Sequence, residues 1–299
     1  MDRRTALKGG AALLASTALR LPEVAAAEST RVGQSGYDLN VPEQALEALV
    51  KMRGDLTGAD VAWYWTGSIW GMVPGEGNRK LFAYEGFSAS RFEKFEGGYR
   101  MLNREAGVYR DLQSGEILDR WLNPYIAREV QVLQRLNDHV NVEISAHGRF
   151  GIGAIPTTEM GDDIWWRLDM FFFRPSPISR EDYPLNVQHD MYQGAELTMY
   201  HAHRSNIQNR DLTSAPAEVS FSRVAQWEPF MEMGNRPGQM VFHAAGKKLL
   251  GGPDGLARLD PRFHQHLSTS HPAYLRSPEE WQPGTVSQWD AFKMLKEGE

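Results

Sequence analysis

Two histidines one residue apart are the first feature of this sequence that can do chemistry. In an extended strand, His201 and His203 lie on the same face, about 7 Å apart. Such a pair can hold a divalent metal if Glu143, His147 or His243 supplies a third ligand. The imidazoles can equally transfer a proton, bind a ligand or play a structural role. We expect no cofactor, with a divalent metal on His201 and His203 as the alternative.

Two arginines stand in apolar rows of residues that alternate along predicted strands. Arg104 follows Leu102 in one row, and Arg223 follows Phe221 in another. A buried guanidinium needs a carboxylate partner or an anionic or carbonyl ligand, because isolated burial of a charge costs several kcal/mol. We therefore expect Arg104 or Arg223 to stabilise a developing oxyanion or phenolate.

A proton-transfer group must accompany these cations, and we expect His201 or Tyr109 to fill that role. If consecutive strands pair, His201 and Arg223 approach each other inside the fold. In the alternative, Arg223 forms a structural ion pair with Glu105 or Asp169. The predicted ligand-binding residues are Trp121, Asn123, Trp165, His203, Trp227 and His243.

Strands must position most of these residues. A helix is predicted at 42–53, because a proline stands in its first turn and Gly54 follows its last residue. Alternating segments rich in aromatic and β-branched residues recur at 63–73, 80–87, 98–110, 116–122, 128–133, 142–150, 164–174, 196–205, 217–226 and 239–245. About ten strands favour a single antiparallel β-barrel, a lipocalin-like meander, because closure removes exposed edges. A two-sheet β-sandwich is the alternative, and a short helix is predicted at 287–296.

Composition limits the classes of function. The chain has 299 residues, a net charge of −6 and no cysteine. An acidic chain lacks the basic footprint of nucleic-acid binding, and the lack of cysteine excludes disulfides and cysteine nucleophiles. No apolar run approaches the roughly 18 residues of a membrane-spanning helix. We expect a small-molecule ligand as partner, no nucleic acid and no integral membrane segment.

The first residues resemble an export signal. Arg3 and Arg4, followed by Leu7 and Lys8, resemble the twin-arginine motif, and a short apolar stretch leads to small residues at 25–27. The resemblance implies that residues 1–27 are a signal peptide read by the twin-arginine translocase. The mature protein, residues 28–299, is then a single β-barrel domain in the periplasm.

Five segments taken together resemble a known family. They are NREAGVYRD at 103–111, GEILDRWLNP at 115–124, NDHVN at 137–141, WEPFMEMG at 227–234 and GQMVFH at 238–243. They resemble the bacterial and fungal domain-of-unknown-function family DUF1838 over most of the mature chain. This family has no established reaction, so the resemblance implies a single domain and marks these segments as parts of a candidate site.

These observations together predict a periplasmic enzyme that acts on a small aromatic organic molecule. The predicted mechanism is acid–base chemistry in a barrel pocket, as in a lyase, an isomerase or a hydrolase. One alternative is a lipocalin-like binding protein without turnover. The other is a metalloenzyme that uses His201 and His203.

Overall fold

The computed structural model describes residues 36–147, 157–249 and 251–298. The predicted signal peptide, residues 1–27, lies outside the described residues. The described residues all belong to one compact unit.

Helix α1 (Pro42–Arg53) has the bounds that the sequence predicts, with a proline in the first turn and Gly54 after its last residue. Leu46, Leu49 and Val50 are buried on one side of this helix. A periodic row of apolar side chains therefore docks α1 against the rest of the protein.

Strands make up most of the described chain. They are β1 (Val61–Met72), β2 (Arg79–Phe95), β3 (Gly98–Arg110), β4 (Arg120–Asn123), β5 (Arg128–Gln131), β6 (Arg135–Asp138), β7 (Val140–Ser145), β8 (Thr157–Met160), β9 (Asp163–Pro175), β10 (Met191–His203), β11 (Glu218–Ala225), β12 (Gln239–Leu249) and β13 (Gly284–Thr285). The remaining α-helices are α2 (Arg204–Gln208), α3 (Gly255–Leu259), α4 (Pro261–Ser270) and α5 (Gln288–Glu297). Short 3₁₀ helices occur at Pro229–Met231, Gly252–Asp254 and Pro272–Leu275.

Eleven strands form one antiparallel sheet in the order β13-β7-β3-β2-β1-β12-β11-β10-β9-β8, with β6 also paired to β3. Strands β4 and β5 form a separate two-stranded sheet. The predicted mainly β class and large antiparallel sheet are confirmed.

The predicted closure into a barrel is not found, because the described strands leave β13 and β8 as two ends of the sheet. The structure protects the edges of this sheet in another way. Strand β13 has two residues and β8 has four, and very short edge strands offer little unpaired backbone for association. Short edge strands thus limit the unpaired backbone of this sheet, whereas the sequence predicted that the sheet closes into a barrel.

Both faces of the central strands are covered. On the face that we call the inner face, α1 packs on one apolar cluster with Trp63 and Phe92, and a second cluster contains Phe82 and Phe242. On the opposite, outer face, residues of α3 and α4 pack against the side chains of β1–β3 in a third cluster. A strand covered on both sides carries apolar residues in both alternating rows, so alternation alone does not tell which row faces inward.

No helix in the described ranges is long and apolar enough to cross a lipid bilayer.

Candidate functional site

Charged side chains lie on the inner face, between its two apolar clusters. We call Glu105, Arg135, Glu196, Arg223 and Glu228 the inner-face cluster. Each comes from a different element: Glu105 from β3, Arg135 from β6, Glu196 from β10, Arg223 from β11, and Glu228 from the segment after β11. The sheet therefore brings together residues that are far apart in sequence.

Glu196 and Arg223 form the open part of this cluster. They are directly opposite each other across β10 and β11, and their side chains approach to 3.9 Å between Nη1 and Oε2. The side chains remain 24% and 16% exposed, respectively, so solvent or a ligand can reach them. Arg223 also donates a hydrogen bond of 2.6 Å to the Tyr192 hydroxyl. This loose pair leaves carboxylate oxygens and guanidinium protons free for another molecule.

The carboxyl group of Glu196 has a pKa above its ordinary value. Burial raises its pKa, and the nearby Glu105 adds to this, whereas Arg223 and Arg135 lower it. A carboxyl group whose pKa lies above its ordinary range can donate or accept a proton closer to neutral pH.

Arg135 and Glu228 form the closed part of the cluster. They are joined at 2.6 Å between Nη1 and Oε1, and their side chains are only 10% and 3% exposed. Gln288 of α5 donates a second hydrogen bond of 2.6 Å to the other oxygen of Glu228. Because both carboxylate oxygens are occupied, this pair serves as a rigid support for the open pair beside it.

Amides hold Glu105 in place. Asn103 donates to its Oε1 at 3.0 Å, and Asn137 donates to its Oε2 at 3.3 Å. Glu105 has no cation within ion-pair distance among the described residues, so its negative charge acts on its neighbours, including Glu196.

Aromatic side chains surround the cluster. Trp65, Tyr200 and Phe221 are half-buried on the inner face, and Tyr84 and Tyr109 are fully enclosed. Burial raises the pKa of each of these three tyrosines, so their hydroxyls stay protonated. The Tyr109 hydroxyl makes no hydrogen bond of standard geometry in the described chain, although Arg135 is near enough to lower its pKa. The arrangement provides flat apolar walls and phenolic donors around one acid and one cation.

Of the residues predicted to be catalytic, Tyr109 and Arg223 lie on the inner face, whereas His201 and Arg104 do not. The row of β10 that packs inside contains Tyr192, Glu196 and Tyr200, and His201 belongs to the other row. The expected approach of His201 to Arg223 does not occur. The partner of Arg223 is Glu196, and neither Glu105 nor Asp169 is paired with it.

The apolar row that led to His201 faces solvent. It contains Leu197, which is 41% exposed, and continues to His201 and His203. His201 stacks on Trp165 with ring centroids 4.2 Å apart, and its ring nitrogens lie 3.1 Å from Asp163 and 3.5 Å from Glu218.

A cleft of about 480 Å³ adjoins this histidine and is also lined by His203 and Lys247. The His203 ring caps α2 through Ser205. In the parts of the chain that the structure describes, no three or more His, Asp or Glu side chains are arranged so that they could hold a metal ion. The alternative of a metal on His201 and His203 therefore gains no support from the arrangement.

Arg104 lies on the outer face and holds the C-terminal part of the chain. Its Nε donates to Asp138 at 2.6 Å, and its Nη1 donates to the carbonyls of Ala273 and Ser277, each at 3.3 Å. A second cleft, of about 630 Å³, adjoins it and mixes cationic and anionic residues. We take the inner face as the candidate site, because an acid and a cation face each other there among aromatic side chains.

The other predicted ligand-binding residues are divided between the second inner cluster and the outer face. Trp121 packs on Phe82 at a centroid distance of 4.6 Å in the second inner cluster. Asn123 is fully buried, and its side-chain amide donates a hydrogen bond to the carbonyl of Met231. The indole of Trp227 donates a hydrogen bond to the carbonyl of Arg236. His243 is exposed on the outer face. The structure thus brings Trp121 and Trp227 near the inner face and leaves Trp165, His203 and His243 outside it.

Sequence reasoning did not select Glu196, Glu228, Arg135 or Tyr200. For Glu196 the available signal was its row in β10, which alternates with the histidine row and carries Tyr200 and Thr198. For Glu228 the available signal was the segment WEPFMEMG at 227–234, in which an acidic residue follows a tryptophan between two apolar stretches. Nothing local marked Arg135, because its partner is 93 residues away.

Fold and site together define a mainly β protein with an accessible acid–cation pair among aromatic side chains on the inner face of its sheet. Residues 58–296 match the family described as Protein of unknown function (DUF1838), and the chain belongs to this family. The resemblance predicted from five sequence segments is therefore confirmed. No curated protein matches this sequence.

Proposed function

We propose that this protein is an enzyme that acts on a small aromatic organic molecule by acid–base chemistry on the inner face of its sheet. The observation that carries the proposal is the open Glu196–Arg223 pair, which is accessible, loosely joined and surrounded by aromatic side chains. The Arg135–Glu228 pair differs, because it is enclosed and each carboxylate oxygen of Glu228 accepts a hydrogen bond.

Each residue of the pair has a distinct role in this proposal. Glu196 moves the proton, because its raised pKa brings the carboxyl group closer to the pH at which a general acid or base is effective. Arg223 stabilises the negative charge that develops on the substrate. Tyr200 supplies a phenolic hydrogen-bond donor, and Trp65 and Phe221 stack on the substrate ring. These roles fit a lyase, an isomerase or a hydrolase.

The test begins with a turnover screen of small aromatic compounds, with products detected by mass spectrometry. For the compound that is consumed, Glu196→Gln should lower kcat by about 10²–10⁴-fold, the usual contribution of a general acid or base. His201→Gln is the matched control, since it lies on the same strand but on the outer face, and it should leave kcat nearly unchanged. Circular dichroism and thermal unfolding of both variants check that the fold is retained. Loss of turnover in His201→Gln together with normal turnover in Glu196→Gln would contradict the proposal.

A second candidate function is ligand binding without turnover. The observation that favours it is the same set of aromatic walls, since a binding protein needs the pocket and not the proton transfer. A compound that binds saturably but is recovered unchanged would select this function.

We also propose a periplasmic location and export by the twin-arginine translocase. The supporting observation is the sequence of residues 1–27, which lies outside the described residues. Its test is the export of a variant in which Lys replaces both Arg3 and Arg4.

A further inference from the structure

One arginine near the inner-face cluster lacks an anionic partner. Arg53 is the last residue of α1 and is half-buried. Every other buried or half-buried arginine of the described chain has a carboxylate oxygen within 4.0 Å. Arg53 has none, and its one hydrogen bond of defined geometry is a weak contact of 3.5 Å to the sulfur of Met101.

The surroundings of Arg53 fix its position and leave its donors free. The Trp63 indole donates a hydrogen bond of 2.8 Å to the Arg53 carbonyl, which anchors the backbone at the end of the helix. The guanidinium lies over the Tyr200 ring, 4.8 Å from its centroid. A guanidinium has five N–H donors in one plane, so a weak sulfur contact and the adjacent tyrosine leave most of them without an acceptor.

Tyr200 connects Arg53 to the proposed acid. Arg53 lies over its ring, and Tyr200 shares the inward row of β10 with Glu196. Neither Glu105 nor Glu196 is paired with Arg53, because two asparagines hold Glu105 and Glu196 faces Arg223. A ligand that binds Arg53 and lies along Tyr200 therefore extends along this row towards the Glu196–Arg223 pair.

We infer that Arg53 binds the carboxylate of the substrate, and that the substrate is a small aromatic carboxylic acid. The planar fork of the guanidinium matches the two oxygens of a carboxylate. The aromatic body of the ligand lies along Tyr200, and the reacting part reaches Glu196. This inference rests on the proposed location of the site, but it concerns binding and does not require turnover.

The test compares acids with their neutral amides, which have nearly the same shape. The probes are benzoate with benzamide and phenylacetate with phenylacetamide, and affinity is measured by calorimetry. The wild-type protein should prefer an acid over its amide by at least about tenfold. Arg53→Gln should abolish this preference. Arg53→Lys should keep part of it, because it retains the charge but loses the planar fork.

Two further variants make the result specific. Arg79→Gln is the matched control, since Arg79 also stacks on a tyrosine without a carboxylate partner but is exposed; it should keep the full preference. Arg223→Gln should weaken binding of acid and amide alike. Equal affinity for acid and amide, no saturable binding of either acid, or loss of the preference in Arg223→Gln alone would overturn the assignment of Arg53.

The outcome is separable from that of the proposed function. A preference for acids without any turnover supports Arg53 and selects the binding protein. Turnover that depends on Glu196 without a preference for acids supports the enzyme and overturns the role of Arg53.

Discussion

At the scale of single residues, two lysines show how this protein accommodates buried charge without carboxylates. Lys51 and Lys248 are both buried. The Nζ of Lys248 donates to the carbonyls of Lys51 and Gly54 and to the hydroxyl of Ser214, at 2.9–3.0 Å. Lys248 thereby satisfies carbonyl groups at the end of α1, where the helix dipole also favours a cation.

Burial of Lys248 predicts a pH dependence of stability. Burial lowers its pKa from 10.5 to about 7, and Lys51 adds to this while Asp55 opposes it. Below pH 7 the lysine is charged in both states and the full cost of burial applies. Between about pH 7 and 10.5 the unfolded state binds a proton that the folded state has released, so the free energy of unfolding rises by at most about 1.4 kcal/mol per pH unit.

The measurement is denaturant unfolding of the wild type and Lys248→Met from pH 6 to 10. The stability of the wild type relative to this variant should increase above about pH 7. Lys247→Met is the control, because Lys247 is the exposed neighbour on the same strand, and it should change stability by less than about 0.5 kcal/mol at every pH. A wild-type advantage that stays constant from pH 6 to 10 would show that the three acceptors keep the lysine charged.

At the scale of elements, local patterns predicted ten of the described strands, missed β6, β8 and β13, and predicted the inward faces poorly. The sequence predicts 98–110 for β3 and 42–53 for α1, and the structure has the same bounds. These elements follow from alternation, capping and turn residues, which are local signals. The interior side of β10 is not a local property. The apolar row of β10 is exposed. The row with Glu196 faces inward, because it pairs with the inward row of β11 and packs against the inner clusters.

Gly86 of β2 leaves room for a wall of the candidate site. A Cβ atom at this position would lie 2.1 Å from two atoms of the Trp65 indole, so the rigid ring would have to move. Gly86→Ala should therefore lower the free energy of unfolding by about 1–3 kcal/mol and shift the tryptophan fluorescence. It should also weaken binding of aromatic ligands, since Trp65 stacks on the ligand in the proposed site.

The control for this substitution is Gly77→Ala. Gly77 lies in an exposed turn, and a Cβ atom there would have no other atom within 4 Å. Alanine should leave stability unchanged or raise it by up to about 1 kcal/mol, because it restricts the unfolded chain. Equal effects of the two substitutions on the free energy of unfolding would mean that the Trp65 indole does not pack directly against Gly86.

At the scale of the whole molecule, the sheet forms the site, because its inner face carries two apolar clusters. The charged residues between them come from sequence positions 105–228, and pairing across five strands or segments is needed to bring them together. Composition, strand count and the family resemblance are properties of the whole sequence and were accessible from it. The identity of the inward-facing acid depends on the long-range register of the strands, which alternation alone does not determine.

The proposed export concerns the chain as a whole. The paired arginines of the twin-arginine motif are Arg3 and Arg4, and a lysine keeps the charge of each while removing the guanidinium that the resemblance identifies as the recognised group. The double substitution of Arg3 and Arg4 by Lys should leave uncleaved precursor in the cytoplasm. Arg20→Lys, in the same segment but outside the motif, should be exported as the wild type is. Cell fractionation with intact-mass measurement distinguishes precursor from a mature protein that begins near Glu28. Normal periplasmic accumulation of the double variant would contradict the twin-arginine assignment and, with it, the proposed location of the enzyme.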